Sequence, residues 1–214
     1  MSNKVLKLIK DEEAAYVDIR FTDPRGKLQH VTVIEDQVDE DFLEEGFMFD
    51  GSSIAGWKSI EASDMKLMPD LDSAYIDPFY SEKTVAIHCS VVEPDTGEAY
   101  DRDPRGTAQK AEAYLKSSGI GDAAYFGPEA EFFLFDDVKY AVSPNKVSFE
   151  VDADHAAWNT DADFEMGNLG HRPTYKGGYF PVNPMDDGQD IRSEMLSTMK
   201  RLGMKVDKHH HEVA

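Results

Sequence analysis

Apolar residues in the first hundred positions recur with helical spacing at the start of the chain and with strand-like alternation after it. Val5, Leu6 and Ile9 fall near one side of a helix, which predicts a short amphipathic helix over residues 4–13. In "YVDIRFTD" apolar residues alternate with polar ones, the turn "DPRGK" follows, and "LQHVTVIE" is rich in β-branched residues. These segments therefore predict a β-hairpin.

The rest of this region predicts one short helix and three more strands. The helix covers residues 39–45 and ends at Gly46, and the stretch "GFMFDGSSIAGW" after it has the small residues and irregular pattern of a long loop. Strands are predicted at "MKLMPD", "SAYIDPF" and "TVAIHCSVVE". Because strands and helices do not alternate as βαβ units, an α+β domain over residues 1–102 is favoured over a doubly wound one.

The pattern changes at residue 103, which predicts a second domain over residues 103–214. Asp103 and Pro104 are typical of the start of a helix, and Gly119 is typical of its end. Strands are then predicted at "AAYF", "AEFFLFDDV" and "KVSFEVD", before a long irregular segment over residues 153–187. A helix over residues 189–202 and a strand in "KVDKHHHEVA" complete the chain.

Composition and charge narrow the class of protein. Hydrophobic residues make up 41% of the chain, and no apolar run is long enough to cross a bilayer. The first residues do not resemble a secretory signal, so we expect a cytoplasmic protein with no membrane partner. Cys89, the single cysteine, is predicted to be a buried structural thiol.

Acidic residues outnumber basic ones 42 to 22, which gives a formal net charge of −20. Such a chain repels phosphate backbones, so nucleic acid is not expected as a partner. The acidity fits either a solvated surface or, where carboxylates cluster, the recruitment of cations.

One such cluster is predicted in "GPEAEFFLF". In an extended segment Glu129 and Glu131 share a face with two phenylalanines, and their side chains stand about 7 Å apart. Burying unpaired carboxylates costs several kcal/mol each, so this face predicts a site for Mg²⁺ or Mn²⁺. The alternative is an exposed strand face with two solvated glutamates.

The end of the chain has a similar ambiguity. Alternation along "KVDKHHHEVA" puts His210 on the same side as Glu212, whereas His209 and His211 point the other way. Adjacent histidines on opposite faces cannot converge on one zinc ion, and three histidines followed by "EVA" do not resemble a purification tag.

Two Gly-rich segments present further polar side chains. The loop "FMFDGSSIAGW" carries Asp50, Ser53 and Trp57, and it fits either a ligand-binding loop or a plain connection. In "YKGGYFPVNP" the paired glycines permit close backbone approach, so Tyr179 is either a site residue or a packing residue.

Five segments, in order along the whole chain, together resemble the bacterial type I glutamine synthetase family. They are "FDGSSIAGW", "RDPRGTAQKAEAYL", "YFGPEAEFFLFD", "GHRPTYKGGYFPVNPMDDGQDIRSEM" and "HHHEVA". The resemblance implies a β-grasp-like N-terminal domain, followed by the first part of a catalytic domain built as an antiparallel half-barrel with helices. It also implies a homo-oligomer of two hexameric rings.

The chemistry implied by the resemblance is the ligation of ammonium to L-glutamate. ATP, as co-substrate, phosphorylates the γ-carboxylate of glutamate, and ammonia displaces the phosphate to give glutamine. Two or more Mg²⁺ or Mn²⁺ ions neutralise the phosphates. By position in the family pattern, Glu131 and Glu212 hold one metal ion and Glu129 holds the ion on the nucleotide side.

The same resemblance assigns the remaining site residues. Asp50 binds and deprotonates ammonium, in a pocket that Ser53, Tyr179 and Glu212 line. His210 steadies the glutamyl phosphate, and Asp207 contacts the nucleotide where the family has a glutamate. The loop that carries Asp50 and Trp57 serves the site of the neighbouring subunit.

The family pattern continues for more than another chain of this length beyond "HHHEVA". We therefore expect an N-terminal portion that is inactive by itself. Two alternatives stay open, namely a non-catalytic module for metal binding or subunit assembly, and a ligase that joins glutamate to a larger amine.

Overall fold

The computed structural model describes residues 2–156 and 172–213. Its contacts divide the chain into two compact units, Met1–Phe126 and Gly127–Ala214, and each is described by itself below. The domain boundary after residue 102 stays a prediction.

The first unit is built around one mixed β-sheet. Its helices are α1 (Ser2–Asp11), α2 (Glu40–Glu45) and α3 (Pro104–Ser118), and its strands are β1 (Tyr16–Thr22), β2 (Leu28–Ile34), β3 (Phe47–Asp50), β4 (Asp64–Pro69), β5 (Tyr75–Ile76) and β6 (Thr84–Val92). The strand order is β2-β1-β6-β4-β3, and β5 pairs with β6. The β1–β6 pair is parallel and the other pairs are antiparallel.

The core of this unit lies on the face of the sheet that carries the apolar residues of β1. Val17, Ile19 and Phe21 are buried there, together with Val5 and Ile9 of α1. The predicted N-terminal helix and the predicted β1–β2 hairpin are therefore confirmed. Cys89 is also buried, as predicted, and burial raises the pKa of its thiol to about 12.

The opposite face of β1 buries a network of charged side chains. Arg20 Nε donates to Asp18 Oδ2 at 2.7 Å, and Arg20 Nη2 donates to Asp77 Oδ2 at 2.6 Å. Thr32 Oγ1 donates to Asp18 Oδ1 at 2.7 Å, and His30 Nδ1 lies 2.6 Å from the same oxygen. Burial alone would raise the pKa of Asp18, but these hydrogen bonds outweigh it and hold the pKa below 3.8.

Helices α2 and α3 begin and end where the sequence predicts, whereas α1 lies two residues before its predicted range. The side chain of Asp39 caps α2 by accepting from Phe42 N, and Gly46 follows the helix. Asp103 caps α3 by accepting from Arg105 N, and Gly119 ends that helix at φ 71°. Because Asp103 Oδ2 also accepts from Val91 N at 3.0 Å, this buried cap ties α3 to β6.

The described residues of the second unit, 127–156 and 172–213, form a two-stranded antiparallel hairpin and one long helix. The strands are β7 (Asp137–Ser143) and β8 (Lys146–Asp152), and the helix is α4 (Gln189–Arg201). The strand predicted at "KVSFEVD" and the last helix are confirmed.

One predicted loop and several predicted strands differ from the structure. "GFMFDGSSIAGW" is not a loop throughout, because Phe47–Asp50 pairs with β4. "SAYIDPF" contributes only Tyr75–Ile76. "AAYF" and residues 130–136 of "AEFFLFDDV" form no strand, and neither does "KVDKHHHEV".

Hydrogen-bonded partners explain these differences. A strand requires a neighbour to pair with, and β3 finds one in β4, whereas the described residues form no sheet with residues 122–135. No helix in the described part of the chain combines the length and apolarity needed to span a bilayer.

Candidate active site

The terminal segment and the residues after the paired glycines lie side by side. Gly178 N donates to Val213 O and Phe180 N donates to His211 O, each at 3.3 Å. A Cβ atom on Gly178 would lie 2.7 Å from His211 Cε1, so a side chain there would push the two segments apart. The glycine thus permits the close approach that the sequence suggests.

This approach brings together Tyr179, His210 and Glu212, three of the predicted site residues. The rings of Tyr179 and His210 meet edge to face with centroids 5.5 Å apart. His210 Nδ1 lies 3.8 Å from Glu212 Oε2, while Glu212 Oε1 accepts a hydrogen bond from Val213 N at 2.8 Å. An imidazole, a phenol and a carboxylate therefore share one corner of the second unit.

Phe180 belongs to this corner as well, and the sequence analysis missed it. Its ring stacks on Tyr179 at 4.1 Å and meets His210 edge to face at 4.5 Å. Its φ of 58° is unusual for a residue with a side chain. The position beside Tyr179 after two glycines was the signal available.

Asp50 and Ser53 form a second polar cluster, at the end of β3 in the first unit. Asp50 Oδ1 accepts from Ser52 Oγ at 2.6 Å and from Ser52 N at 2.9 Å, and Oδ2 accepts from Ser53 Oγ at 3.1 Å. The hydrogen bonds from Ser52, followed by that from Ser53, lower the pKa of Asp50 below 3.8. An exposed, ionised carboxylate results. Ser52 is the other of the two serines in this loop, and the sequence patterns assign it no role of its own.

Trp57 lies in the core of the first unit, with 5% of its surface exposed. Its ring packs against Phe21, Phe49 and Tyr100, and the Tyr100 hydroxyl donates to Trp57 O at 3.0 Å. Trp57 Nε1 is buried and finds no acceptor among the described residues. In this geometry Trp57 anchors the loop that follows Asp50, and its role in substrate binding stays a prediction.

Glu129, Glu131 and Asp207 are exposed on segments without regular secondary structure. Within residues 2–156 and 172–213, no three His, Cys, Asp or Glu side chains lie close enough together to hold a metal ion. The structure therefore does not bring Glu129 and Glu131 into a three-ligand cluster with Glu212. Their metal-binding role stays a prediction.

Comparison with known proteins identifies relatives of both units. The family model for the β-grasp domain of glutamine synthetase matches residues 13–94, and that for the glutamine synthetase catalytic domain matches residues 101–214. The glutamine synthetase of Cereibacter sphaeroides is 77% identical over 209 residues, which cover 98% of this chain and 45% of the relative. That of Rhodobacter capsulatus is 75% identical over 211 residues, which cover 99% of this chain and 48% of the relative.

The chain thus spans about half the length of the curated relatives that it matches. A cryo-EM structure of Plasmodium falciparum glutamine synthetase superposes with a TM-score of 0.82 at 22% identity, covering 100% of this chain and 42% of that chain. This likeness, with the β-grasp match, confirms the predicted fold class: an α+β chain with a β-grasp-like domain followed by the first part of an antiparallel half-barrel.

Proposed function

The chain belongs to the glutamine synthetase family, and we propose on that premise that it supplies the N-terminal part of a glutamate–ammonia ligase. ATP phosphorylates the γ-carboxylate of L-glutamate, and ammonia then displaces phosphate from the γ-glutamyl phosphate to give glutamine. The observation that best supports this function is the meeting of Tyr179, His210 and Glu212 in one corner of the second unit.

The donor set fits the divalent cations that such a reaction uses. Carboxylate oxygens are the ligands that Mg²⁺ and Mn²⁺ prefer. Glu129 and Glu131 form no hydrogen bond or ion pair with any residue that the structure describes, so their carboxylates remain available. We assign Glu131 and Glu212 to one ion, and Glu129 to the ion on the nucleotide side. When bound, two or more such ions would neutralise charge on the ATP phosphates.

His210 and Asp207 have separate parts in this proposal. An imidazole beside the Glu212 carboxylate can donate a hydrogen bond to an anionic acyl phosphate, and Phe180 and Tyr179 limit the movement of the ring. Asp207, exposed three residues before His210, is assigned to the nucleotide.

Asp50 is suited to holding ammonium. Its low pKa keeps the carboxylate ionised at neutral pH, so it attracts a cation through charge. A carboxylate with a low pKa is also a weak base. We therefore expect Asp50 to accept a proton efficiently only after the hydrogen bonds from Ser52 and Ser53 lengthen or exchange for bonds to ammonium.

The remaining parts of the proposal concern assembly and location. We propose that the Asp50 loop completes the site of a neighbouring subunit, within a homo-oligomer of two hexameric rings in the cytoplasm. Tyr179 and Glu212 would then line the ammonium pocket from the other subunit, together with Ser53 beside Asp50.

A fusion protein tests this function. Residues 1–214 replace the matching segment of the Cereibacter sphaeroides glutamine synthetase, and glutamine formation from glutamate, ammonium and ATP is measured with Mg²⁺. We expect turnover that depends on all three substrates. Glu212→Gln should lower the turnover by at least about 100-fold, because it weakens the binding of the cation that would stabilise the charge of the reacting phosphate. The matched control Glu194→Gln changes an exposed glutamate of α4 and should leave turnover unchanged. A correctly assembled fusion that makes no glutamine contradicts the proposal.

Two further assays separate the alternatives. The isolated chain should form no detectable glutamine, because it spans about half the length of the curated relatives that it matches. Sustained turnover by the isolated chain would contradict that expectation. Replacing ammonium by ethylamine in the fusion assay tests the ligase for larger amines, and faster reaction with ethylamine would favour it.

A further inference from the structure

His209, which the proposed site does not use, is held between two neighbouring side chains of α4. Arg192 Nε donates to His209 Nδ1 at 3.3 Å, and Ser193 Oγ lies 3.1 Å from His209 Nε2. Both ring nitrogens are thereby engaged by one helix. The neighbouring His210 makes its ring contacts with Tyr179 and Phe180 instead.

The chemistry of the guanidinium decides the state of this ring. A guanidinium N–H can only donate, so His209 Nδ1 must be the acceptor. The proton of the neutral ring then sits on Nε2, from which it can be donated to Ser193 Oγ. This is the reverse of a hydrolytic Ser–His pair, in which the histidine nitrogen accepts from the serine. Ser193 is therefore not an activated nucleophile.

Arg192 is itself fixed by a buried carboxylate. Arg192 Nη2 forms an ion pair with Asp186 Oδ2, and Asp186 Oδ1 accepts from Gly188 N at 3.1 Å. Asp186 is 4% exposed. A Cβ atom on Gly188 would lie 2.7 Å from Arg192 Nη1, so this glycine leaves room for the guanidinium.

We propose that Arg192 and His209 form a register lock that positions His210 and Glu212. His209, His210 and His211 carry the same side chain. If the terminal segment slid by one residue, one imidazole would therefore take the place of another. His209 contacts α4 whereas His210 contacts Tyr179 and Phe180, so such a shift would replace both His210 and Glu212 at the Tyr179 corner. Holding His209 on α4 prevents the shift. The tautomer follows from the contacts alone, whereas the benefit to catalysis rests on the proposed function.

Nuclear magnetic resonance of the nitrogen-labelled chain tests the lock directly. Long-range correlations between ring protons and ring nitrogens distinguish the two neutral tautomers. The set of signals that disappears in His209→Asn belongs to His209. We expect the neutral ring of His209 to carry its proton on Nε2. Arg192→Lys keeps a charge near Asp186, but a single ammonium cannot reach both partners as the fork does. The Arg192→Lys variant should show a mixture of His209 tautomers and shifted ring signals of His210.

Two conservative variants separate positioning from general stability. Asn at position 209 can place an oxygen where Nδ1 accepts, whereas Gln at that position reaches toward Nε2 and loses the acceptor for Arg192. His209→Asn should therefore keep the ring contacts of His210 with Tyr179, and His209→Gln should lose them. In the fusion, Arg192→Lys and His209→Gln should lower kcat on the order of tenfold or more while changing KM for ATP much less, since misplaced groups slow the chemical step. Lys208→Ala, an exposed neighbour, is the control and should change neither.

Three results would overturn the lock: a wild-type His209 protonated on Nδ1, an Arg192→Lys chain with unchanged signals of both histidines, or equal behaviour of His209→Gln and His209→Asn. The tautomer is read from the wild-type chain, and His209→Gln can assign the His209 signals if His209→Asn prevents folding. If the fusion makes no glutamine but the tautomer and its response to Arg192→Lys are as expected, the lock stands and the proposed function fails. If the fusion is active but His209 is protonated on Nδ1, the lock fails and the proposed function stands.

Discussion

Strand β6 in the first unit and the β7–β8 hairpin in the second both carry many apolar residues, yet the side chains of β6 are mostly buried and those of the hairpin are mostly exposed. Nearly all of β6 is buried, because it lies between β1 and β4 with helices and loops packed around it. In the hairpin, Tyr140 faces Phe149 and Val142 faces Val147 on one side, and these side chains are exposed, Phe149 to 81%. Alternation therefore tells which side chains share a face, whereas burial depends on what packs against that face.

The charged residues of the two units differ in the same way. Asp18 and Arg20 are buried, and their ion pair is part of a network with Asp77. Asp137 and Lys139 in the hairpin form an ion pair of the same length, 2.7 Å, but both side chains are more than half exposed. Solvent screens the second pair, so equal distances correspond to unequal contributions to stability.

The largest expected effect comes from breaking the buried network. Asp18→Ala should lower the free energy of unfolding of the first unit by about 3–5 kcal/mol, because Arg20 is left buried with one carboxylate fewer. Asp137→Ala should change stability by less than about 1 kcal/mol. Hydrogen exchange at the amides of β1 and β6 measures the first variant, and exchange in β7 and β8 measures the second. Equal losses in the two variants would contradict the comparison.

The same network has a pH dependence of definite sign. The pKa of Asp18 is lower in the folded chain than its ordinary value of 3.8, so its stabilising effect is present above that value. The effect is lost as the pH falls through the folded pKa. Stability of the first unit should thus decline more steeply below pH 3.8 in the wild type than in Asp18→Ala.

A core substitution should have the next largest effect. Ile87→Ala removes a fully buried side chain of β6 and should cost about 2–5 kcal/mol. Phe149→Ser removes a larger but exposed side chain and should change stability by no more than about 0.5 kcal/mol. The stability losses of the two variants are compared by urea unfolding, with hydrogen exchange measured separately in each unit. A costly Phe149→Ser would show that the hairpin face is covered in solution.

A smaller and local effect is expected at Gly178. Alanine there brings a Cβ within 2.7 Å of His211 Cε1 and 3.2 Å of Glu212 O, and relieving this overlap should cost about 1–3 kcal/mol. Ring contacts between Tyr179 and His210 should weaken in magnetic resonance spectra. Gly127→Ala, which meets no atom within 4 Å, is the matched control and should leave the spectra unchanged.

The smallest effect is expected for Trp57→Phe. The substitution keeps an aromatic ring in the core and removes a buried donor that has no acceptor among the described residues, so it should cost less than about 1.5 kcal/mol. Trp57→Ala should cost about 3–5 kcal/mol. A fusion whose KM for ATP rises sharply with Trp57→Phe, at unchanged stability, would instead support a binding role for the indole.

Local signals in the sequence predict the helices and leave part of the sheet structure undecided. Asp39, Asp103 and Gly119 cap helices through contacts with residues close in sequence, which is why these helix ends can be predicted. The strand predicted around Glu131 depends on a distant partner, which periodicity cannot identify. Nor does alternation show that Asp18 and Arg20 are buried, since a polar position on a strand is compatible with solvent or with an ion pair.

In the candidate site, too, local features can be predicted from the sequence, whereas contacts between distant residues cannot. The paired glycines predict a close backbone approach beside Tyr179, and alternation pairs His210 with Glu212, but neither pattern shows that these two segments meet. Phe180 was missed because its contribution depends on a left-handed backbone, and Arg192 because its contact with His209 spans 17 positions. Family resemblance supplies the chemical roles, which contact geometry alone does not.

The most direct test of the central claim is positional isotope exchange in the fusion protein, with ATP labelled with heavy oxygen in its β–γ bridge. In the presence of glutamate and Mg²⁺ but without ammonium, reversible formation of γ-glutamyl phosphate should move the label to non-bridging positions. Glu131→Gln should abolish this movement while Glu194→Gln leaves it intact. Exchange that needs no glutamate, or exchange unaffected by Glu131→Gln, would contradict the account.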